Sequence, residues 1–162
     1  MRTDREKMKY DVVIVGAGPS GLSAAIKLKQ LSKDISVCIL EKGPEVGAHI
    51  ISGAILEPTA LNELFPNWKE MNHPDMSKVT KEDFLFLNKS TSFKLPNLLL
   101  PKTFKNEGNY ITSLANFCRW LSEEAAKLDI EIYPGFAATE ILYNDDNQVI
   151  GVATGDMGID KN

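Results

Sequence analysis

Cysteine and histidine are both scarce, and neither sign of charge is gathered into a block. The 162 residues include two histidines and two cysteines, Cys38 and Cys118, with no second thiol at metal-ligand spacing. No disulfide framework is expected, which points to a reducing compartment, and each cysteine reads as a small buried hydrophobe. Long apolar runs are also missing, since none reaches the roughly 18 residues that a membrane-spanning helix needs. Lys and Arg total 18 against 22 Asp and Glu, a net charge of −4. An acidic chain without a basic block lacks the footprint of a nucleic-acid binder, so nucleic acid is set aside. Residues 1–9 alternate basic and acidic side chains without an apolar stretch. They read as a solvated extension, with neither a secretory signal nor a transit peptide expected.

What is present is an ordinary globular composition, 43% hydrophobic and 25% charged. The length allows one domain or part of a larger one. Tyr10 to Gly43 reads β-α-β. Asp11-Val-Val-Ile-Val15 is a β-branched run expected to be buried on both faces of a parallel sheet. Helical spacing follows from Pro19 to about Leu31, and Ile35 to Leu40 forms a second strand that delivers Glu41. Residues 44–109 carry six of the eight prolines and little periodicity. One short helix is expected after Pro58, with Leu61, Leu64, Phe65 and Trp68 at i, i+3, i+4 and i+7, and Pro66 ending it before Trp68. Leu95 to Pro101 shows no usable period. Ser113 to Leu128 is an amphipathic helix with Leu114, Phe117, Leu121, Ala125 and Leu128 on one stripe and Glu123, Glu124 and Lys127 off it. Asp129 to Tyr133 reads as a strand, and Thr139–Tyr143 with Gln148–Ala153 reads as a hairpin around Asn144 to Asn147. The polar stretch 156–162 starts no element.

The chemistry lies in Gly16-Ala17-Gly18-Pro19-Ser20-Gly21, a G-x-G-x-x-G run that leaves a strand and opens a helix. Glu41 follows 20 residues after the last glycine, at the end of the next strand. Gly16 permits the sharp turn, Gly18 lets a pyrophosphate approach the backbone, and Gly21 lets the helix pack on the sheet. The helix N-terminus supplies unpaired N–H groups to the phosphates, and Glu41 accepts from ribose hydroxyls. An acidic ribose partner disfavours a 2′-phosphate.

The run from Asp11 through Ala25 resembles the opening of two-dinucleotide-binding flavoproteins, which implies FAD. Further strings are Gly47-Ala-His-Ile-Ile-Ser-Gly53, Glu63-Leu-Phe-Pro-Asn-Trp-Lys69, Gly108-Asn-Tyr-Ile111 and Ile132-Tyr-Pro-Gly135. In that order they resemble the N-terminal part of the electron transfer flavoprotein:ubiquinone oxidoreductase family, from about Asp11 to Asp160. The fold class expected is α/β, an incomplete Rossmann-like FAD-binding unit over residues 10–162 with β-hairpin elements and an irregular membrane-facing insertion at about 44–109.

The resemblance implies FAD and a [4Fe-4S] cluster, electron transfer flavoprotein as donor and ubiquinone as acceptor. FAD binding carries over to Gly16, Ala17, Gly18, Pro19, Ser20, Gly21, Glu41 and Lys42. His49, Ser52 and Gly53 carry over as a loop near the flavin, although a lone histidine is by default structural. No general acid or base is assigned, because cofactor chemistry asks the protein for geometry and electrostatics. The family's surface segment that dips into one leaflet corresponds to about residues 46–67. Read from the residues alone, Ile50, Ile51, Ile55, Leu56, Leu61, Leu64 and Phe65 favour core packing. Trp68 fits either setting, and Trp120 is expected in the core.

Two cysteines cannot supply a conventional cluster's four ligands. The resemblance implies that the cluster and quinone parts lie beyond Asn162, with the 162 residues expected to be inactive by themselves. The expected location is the cytoplasmic face of a bacterial inner membrane, or the mitochondrial inner membrane in a eukaryote. Two alternatives are another flavin oxidoreductase of the superfamily, geranylgeranyl-reductase-like or FixC-like, and a non-catalytic nucleotide-binding module.

Overall fold

The computed structural model describes residues 6–155, so the stretch 156–162 lies outside the described residues. The chain forms two compact units, one of residues 1–51 and 115–162 and the other of Ser52–Leu114.

The first unit is built on a parallel three-stranded sheet in the order β1 (Val12–Val15), β2 (Val37–Glu41), β8 (Glu131–Pro134). β1, helix α1 (Pro19–Leu31) and β2 form the crossover expected from the sequence. The register sets Ile14 beside Ile39 and Ile39 beside Ile132 of β8. These aligned residues share one face of the sheet. Ile14 also lies against the first turn of α1, where a Cβ on Gly21 would sit 3.2 Å from its Cγ2. Leu22, Ala25 and Ile26 make the buried stripe of α1.

Burial on both sheet faces holds for β2, whose first four residues are all buried. It fails for β1, where Val13 and Val15 are exposed. Among the described residues β1 pairs on one side only, and Val13 and Val15, alternating with the half-buried Val12 and Ile14, lie on an exposed face.

Helix α3 (Leu114–Ala126) buries Phe117, Trp120, Leu121 and Ala125, and Trp120 is in the core as expected. Glu124 corrects the expected stripe, because it is buried too, with its Oε1 accepting from Lys127 Nζ at 2.6 Å. A carboxylate can turn inward when its neighbour one turn on neutralises it. Both cysteines are free and buried, and burial pushes each thiol up to about 11. β9 (Ala138–Tyr143) and β10 (Val149–Thr154) form the expected hairpin, closed by Asn144 N donating to Gln148 O at 3.0 Å.

The second unit is more regular than its prolines suggest. β3 (Gly53–Leu56), β7 (Tyr110–Ser113) and β4 (Met76–Lys78) form an antiparallel sheet in that order. α2 (Thr59–Leu64) starts one residue after Pro58 and ends before Pro66, with Trp68 opening a separate 3₁₀ turn. Leu61, Leu64 and Trp68 are core residues of this unit. Trp68 Nε1 donates to Asn62 Oδ1 at 2.8 Å, and its ring meets the Tyr110 ring edge-on at 5.3 Å. β5 (Phe84–Leu87) and β6 (Ser92–Leu95) form a separate hairpin, followed by two 3₁₀ turns at Asn97–Leu99 and Lys102–Phe104. Leu95 to Pro101, without a period in sequence, is thus a strand end running into a 3₁₀ turn.

Candidate dinucleotide site

The carboxyl ends of β1 and β2 place the glycine loop beside Glu41. Gly16 leaves β1 with φ +102°, a conformation that strains any residue with a side chain, and its N–H donates to Leu40 O of β2 at 2.7 Å. Gly18 is the N-cap of α1 and Pro19 its first residue. The first helical bond is Leu22 N to Gly18 O at 3.0 Å, so the N–H groups of Ser20 and Gly21 precede it at the helix end.

The three glycines differ in their surroundings. A Cβ on Gly16 or Gly18 would meet nothing within 4 Å, so their outer side is open. A Cβ on Gly21 would lie 2.1 Å from Gly16 O. Gly21 is therefore required by the packing of α1 on the loop, whereas the space beside Gly18 is open.

Both oxygens of the half-buried Glu41 carboxylate are engaged. Oε2 accepts from Ala17 N at 2.9 Å, and Oε1 accepts from Gly43 N at 2.7 Å. Each oxygen keeps a second lone pair, leaving the group able to accept hydroxyl donors as well. Lys42 is exposed. Beyond it the loop is held at several points: Gly135 N donates to Gly43 O at 2.7 Å, and Arg119 Nη2 pairs with Glu45 Oε1 at 3.3 Å. Gly47, at φ +84°, lies so close to α3 that a Cβ would come within 2.9 Å of Ala115 O.

His49 belongs to this loop. A Cβ on Gly43 would sit 3.1 Å from Glu41 Oε1 and 3.5 Å from His49 Cε1, which puts the exposed imidazole beside the Glu41 corner. Gly16 through Gly21, Glu41, Lys42 and His49 thus converge within the first unit. Ser52 and Gly53 belong to the second, where Gly53 opens β3 opposite Ser113. Sequence reasoning missed Gly43, Gly47 and the Arg119–Glu45 pair. The signal available was the two extra glycines close behind Glu41.

These features fit a dinucleotide diphosphate: open glycine backbone, helix N–H groups ahead of the first helical bond and a carboxylate at the neighbouring strand end. The iron–sulfur cluster does not fit. Among the described residues no group of three or more His, Cys, Asp or Glu side chains could hold a metal ion.

The sequence profile of the NAD(P)-binding Rossmann-like domain matches residues 14–79. A geranylgeranyl bacteriochlorophyll reductase-like protein of Thermoplasma acidophilum superposes with a TM-score of 0.62 at 22% identity, over 90% of this chain and 34% of that one. The FAD-dependent myxobacterial chondrochloren halogenase superposes with a TM-score of 0.59 at 16% identity, over 90% and 32%. The fold is therefore of the Rossmann-like dinucleotide-binding class.

Sequence relatives narrow this class. The chain is 56% identical, over 98% of its length, to electron transfer flavoprotein-ubiquinone oxidoreductase of Pseudomonas aeruginosa. It is 55% identical over 97% to the mitochondrial protein of that name from Dictyostelium discoideum, and 49% identical over 98% to that of Rattus norvegicus. It is a homologue of the electron transfer flavoprotein-ubiquinone oxidoreductases, and spans 26–30% of the length of these three relatives. The geranylgeranyl-reductase-like alternative shares the fold at 22% identity.

Proposed function

We propose that this chain is the FAD-holding portion of an electron transfer flavoprotein-ubiquinone oxidoreductase, a protein that takes electrons from reduced electron transfer flavoprotein and delivers them to ubiquinone. The observation that carries this reading is the Glu41 carboxylate joined to the glycine loop, in a chain about half identical to proteins of that name. FAD, when bound, supplies the redox chemistry. The chain's residues bind and orient it: the Ser20 and Gly21 N–H groups take the diphosphate, Gly18 admits it, and Glu41 accepts from the ribose. His49 borders the ribose corner.

The working place is the surface of a bacterial or mitochondrial inner membrane. Among the described residues no helix is long and apolar enough to cross a membrane. Within 46–67 the exposed large apolar residues are Ile51 and Ile55, whereas Leu61 and Leu64 are 4% and 8% exposed. The apolar surface lies further along the chain: Leu87, Leu98 and Leu99 are 77%, 88% and 71% exposed, and Phe86, Phe93 and Phe104 are exposed as well. Residues 84–104 are therefore the segment proposed to enter a leaflet, in place of 46–67.

Purification of the chain tests the cofactor reading. Stoichiometric FAD, seen by flavin absorbance, is the expected result. Firm binding of NAD with no retention of FAD contradicts the reading.

A further inference from the structure

We infer that the apolar segment 84–104 is rimmed to select anionic lipid headgroups, an inference that rests on the membrane-surface reading above. Its first support is the placement of charge. The whole chain is acidic, at −4, yet Lys81 to Lys105 holds five lysines against one glutamate and one aspartate. Spaced over 25 residues, these lysines make no block in the sequence.

The two acidic groups are both occupied at the base of the hairpin. Glu82 holds Asn106, whose backbone N–H reaches Oε1 at 2.9 Å and whose Nδ2 reaches Oε2 at 3.0 Å. Asp83 pairs with Lys94 and also faces Lys81, and these cations hold its carboxyl below the usual range. Among the described residues, Lys89, Lys102 and Lys105 have no carboxylate partner.

These three lysines also stand next to the exposed apolar residues. Lys89 lies in the β5–β6 turn, two residues after Leu87, and Lys102 and Lys105 flank Phe104. All three are exposed. The register puts Phe86 opposite Phe93 and Phe84 opposite Leu95 on one face of the hairpin, and the Phe84 and Phe104 rings meet edge-on at 5.8 Å. Apolar tips with unpaired lysines beside them match an interface whose acyl layer lies under negative headgroups, since lysine stems can lie along apolar surface while their ammonium groups stay in the headgroup layer. A zwitterionic surface offers those lysines no net negative charge, and an uncharged apolar partner offers them no counterion.

Co-sedimentation of the chain with vesicles tests this directly, comparing phosphatidylcholine alone with an equal mixture of phosphatidylcholine and phosphatidylglycerol. Stronger pelleting with the mixture is expected, weakening as salt is raised. The combined Lys89→Gln, Lys102→Gln and Lys105→Gln variant is expected to bring the mixture down to the phosphatidylcholine level. At about fivefold per lysine near an anionic surface, that is roughly a hundredfold loss of partition. Leu98→Asp with Leu99→Asp is expected to abolish pelleting with both, while far-ultraviolet circular dichroism stays unchanged. Equal pelleting with both vesicles, untouched by the lysine changes, overturns the charged rim and leaves the membrane-surface reading standing. Pelleting with neither vesicle overturns that reading and the rim with it. Pelleting without vesicles overturns both, since it makes the apolar patch a contact between copies of the chain.

Discussion

Glu41 and Ala17, 24 residues apart, are joined by one hydrogen bond of 2.9 Å from the Ala17 N–H to the Glu41 carboxylate. The acidic end of β2 therefore holds the middle of the glycine loop in place without a ligand. With Gly43 N on the other oxygen, the carboxylate bridges the two loops at the strand ends.

Replacing Glu41 with Gln tests that double role. The amide keeps one acceptor oxygen and turns the other position into a donor, which then faces a backbone N–H. A charge-assisted hydrogen bond of this kind contributes about 1.5–3 kcal/mol. FAD affinity is expected to fall about tenfold to a hundredfold, read by flavin fluorescence titration. An unchanged affinity removes Glu41 from the site.

Gly18 and Gly21 separate binding from folding. Alanine at Gly18 meets open space and is expected to leave the melting temperature of the FAD-free chain unchanged while weakening FAD binding. Alanine at Gly21 places its Cβ 2.1 Å from Gly16 O, a backbone atom that cannot swing away. Overpacking of this kind costs about 1–3 kcal/mol or more, so the Gly21 variant is expected to melt earlier even without ligand. Equal effects of the two variants on melting contradict the division.

The part of the fold that was legible in the sequence is the part made by near neighbours. β1, the glycine loop, α1, β2 and Glu41 lie within 30 residues, and each leaves a local mark: a β-branched run, small residues at a turn, helical spacing. In the second unit the helix after Pro58 leaves such a mark and the central sheet does not. Gly53 pairs with Ser113 and Leu56 with Tyr110, so β3 and β7 find each other across more than 50 residues and no turn joins them. Strands of three or four residues also carry too few alternations to show a period of two.

The apolar residues of the second unit show a further limit. Leu64 and Leu98 are the same side chain in similarly proline-punctuated surroundings, yet one is in the core and the other is 88% exposed. What separates them is that Leu64 sits on α2 with Leu61, above the Trp68 turn, whereas Leu98 lies in a 3₁₀ turn with no buried residue. Composition cannot register that difference. It also hid Glu124, whose inward position depends on Lys127 three residues later.

The same contrast yields a prediction about Leu64. Aspartate there puts an unpaired carboxylate into the core of the second unit, and loss of a buried leucine side chain alone costs about 2–5 kcal/mol. Leu64→Asp is therefore expected to lose cooperative melting, followed by Trp68 fluorescence against a Trp120→Phe background. Leu98→Asp is expected to melt as the parent does. A stable Leu64→Asp chain contradicts the burial of α2.

The strand entry into β1 makes the structure sensitive to acid. Asp11 Oδ2 accepts from Ser36 Oγ at 2.6 Å and from Ser36 N at 2.8 Å, and Asp11 N donates back to Ser36 Oγ at 2.9 Å. The Ser36 hydroxyl, then the Ser36 backbone N–H, hold the Asp11 carboxyl below its ordinary value. A lowered folded-state pKa means that the stabilisation is fully present above the unfolded value of about 3.9 and is lost as pH falls through the folded value. Asp11→Asn removes that contribution at every pH. The variant is expected to melt below the parent at neutral pH, with the two melting curves converging once the pH is well below about 3.9. A gap between the two melting temperatures that stays constant from neutral to acid pH would show that the Asp11 charge contributes nothing to the clasp.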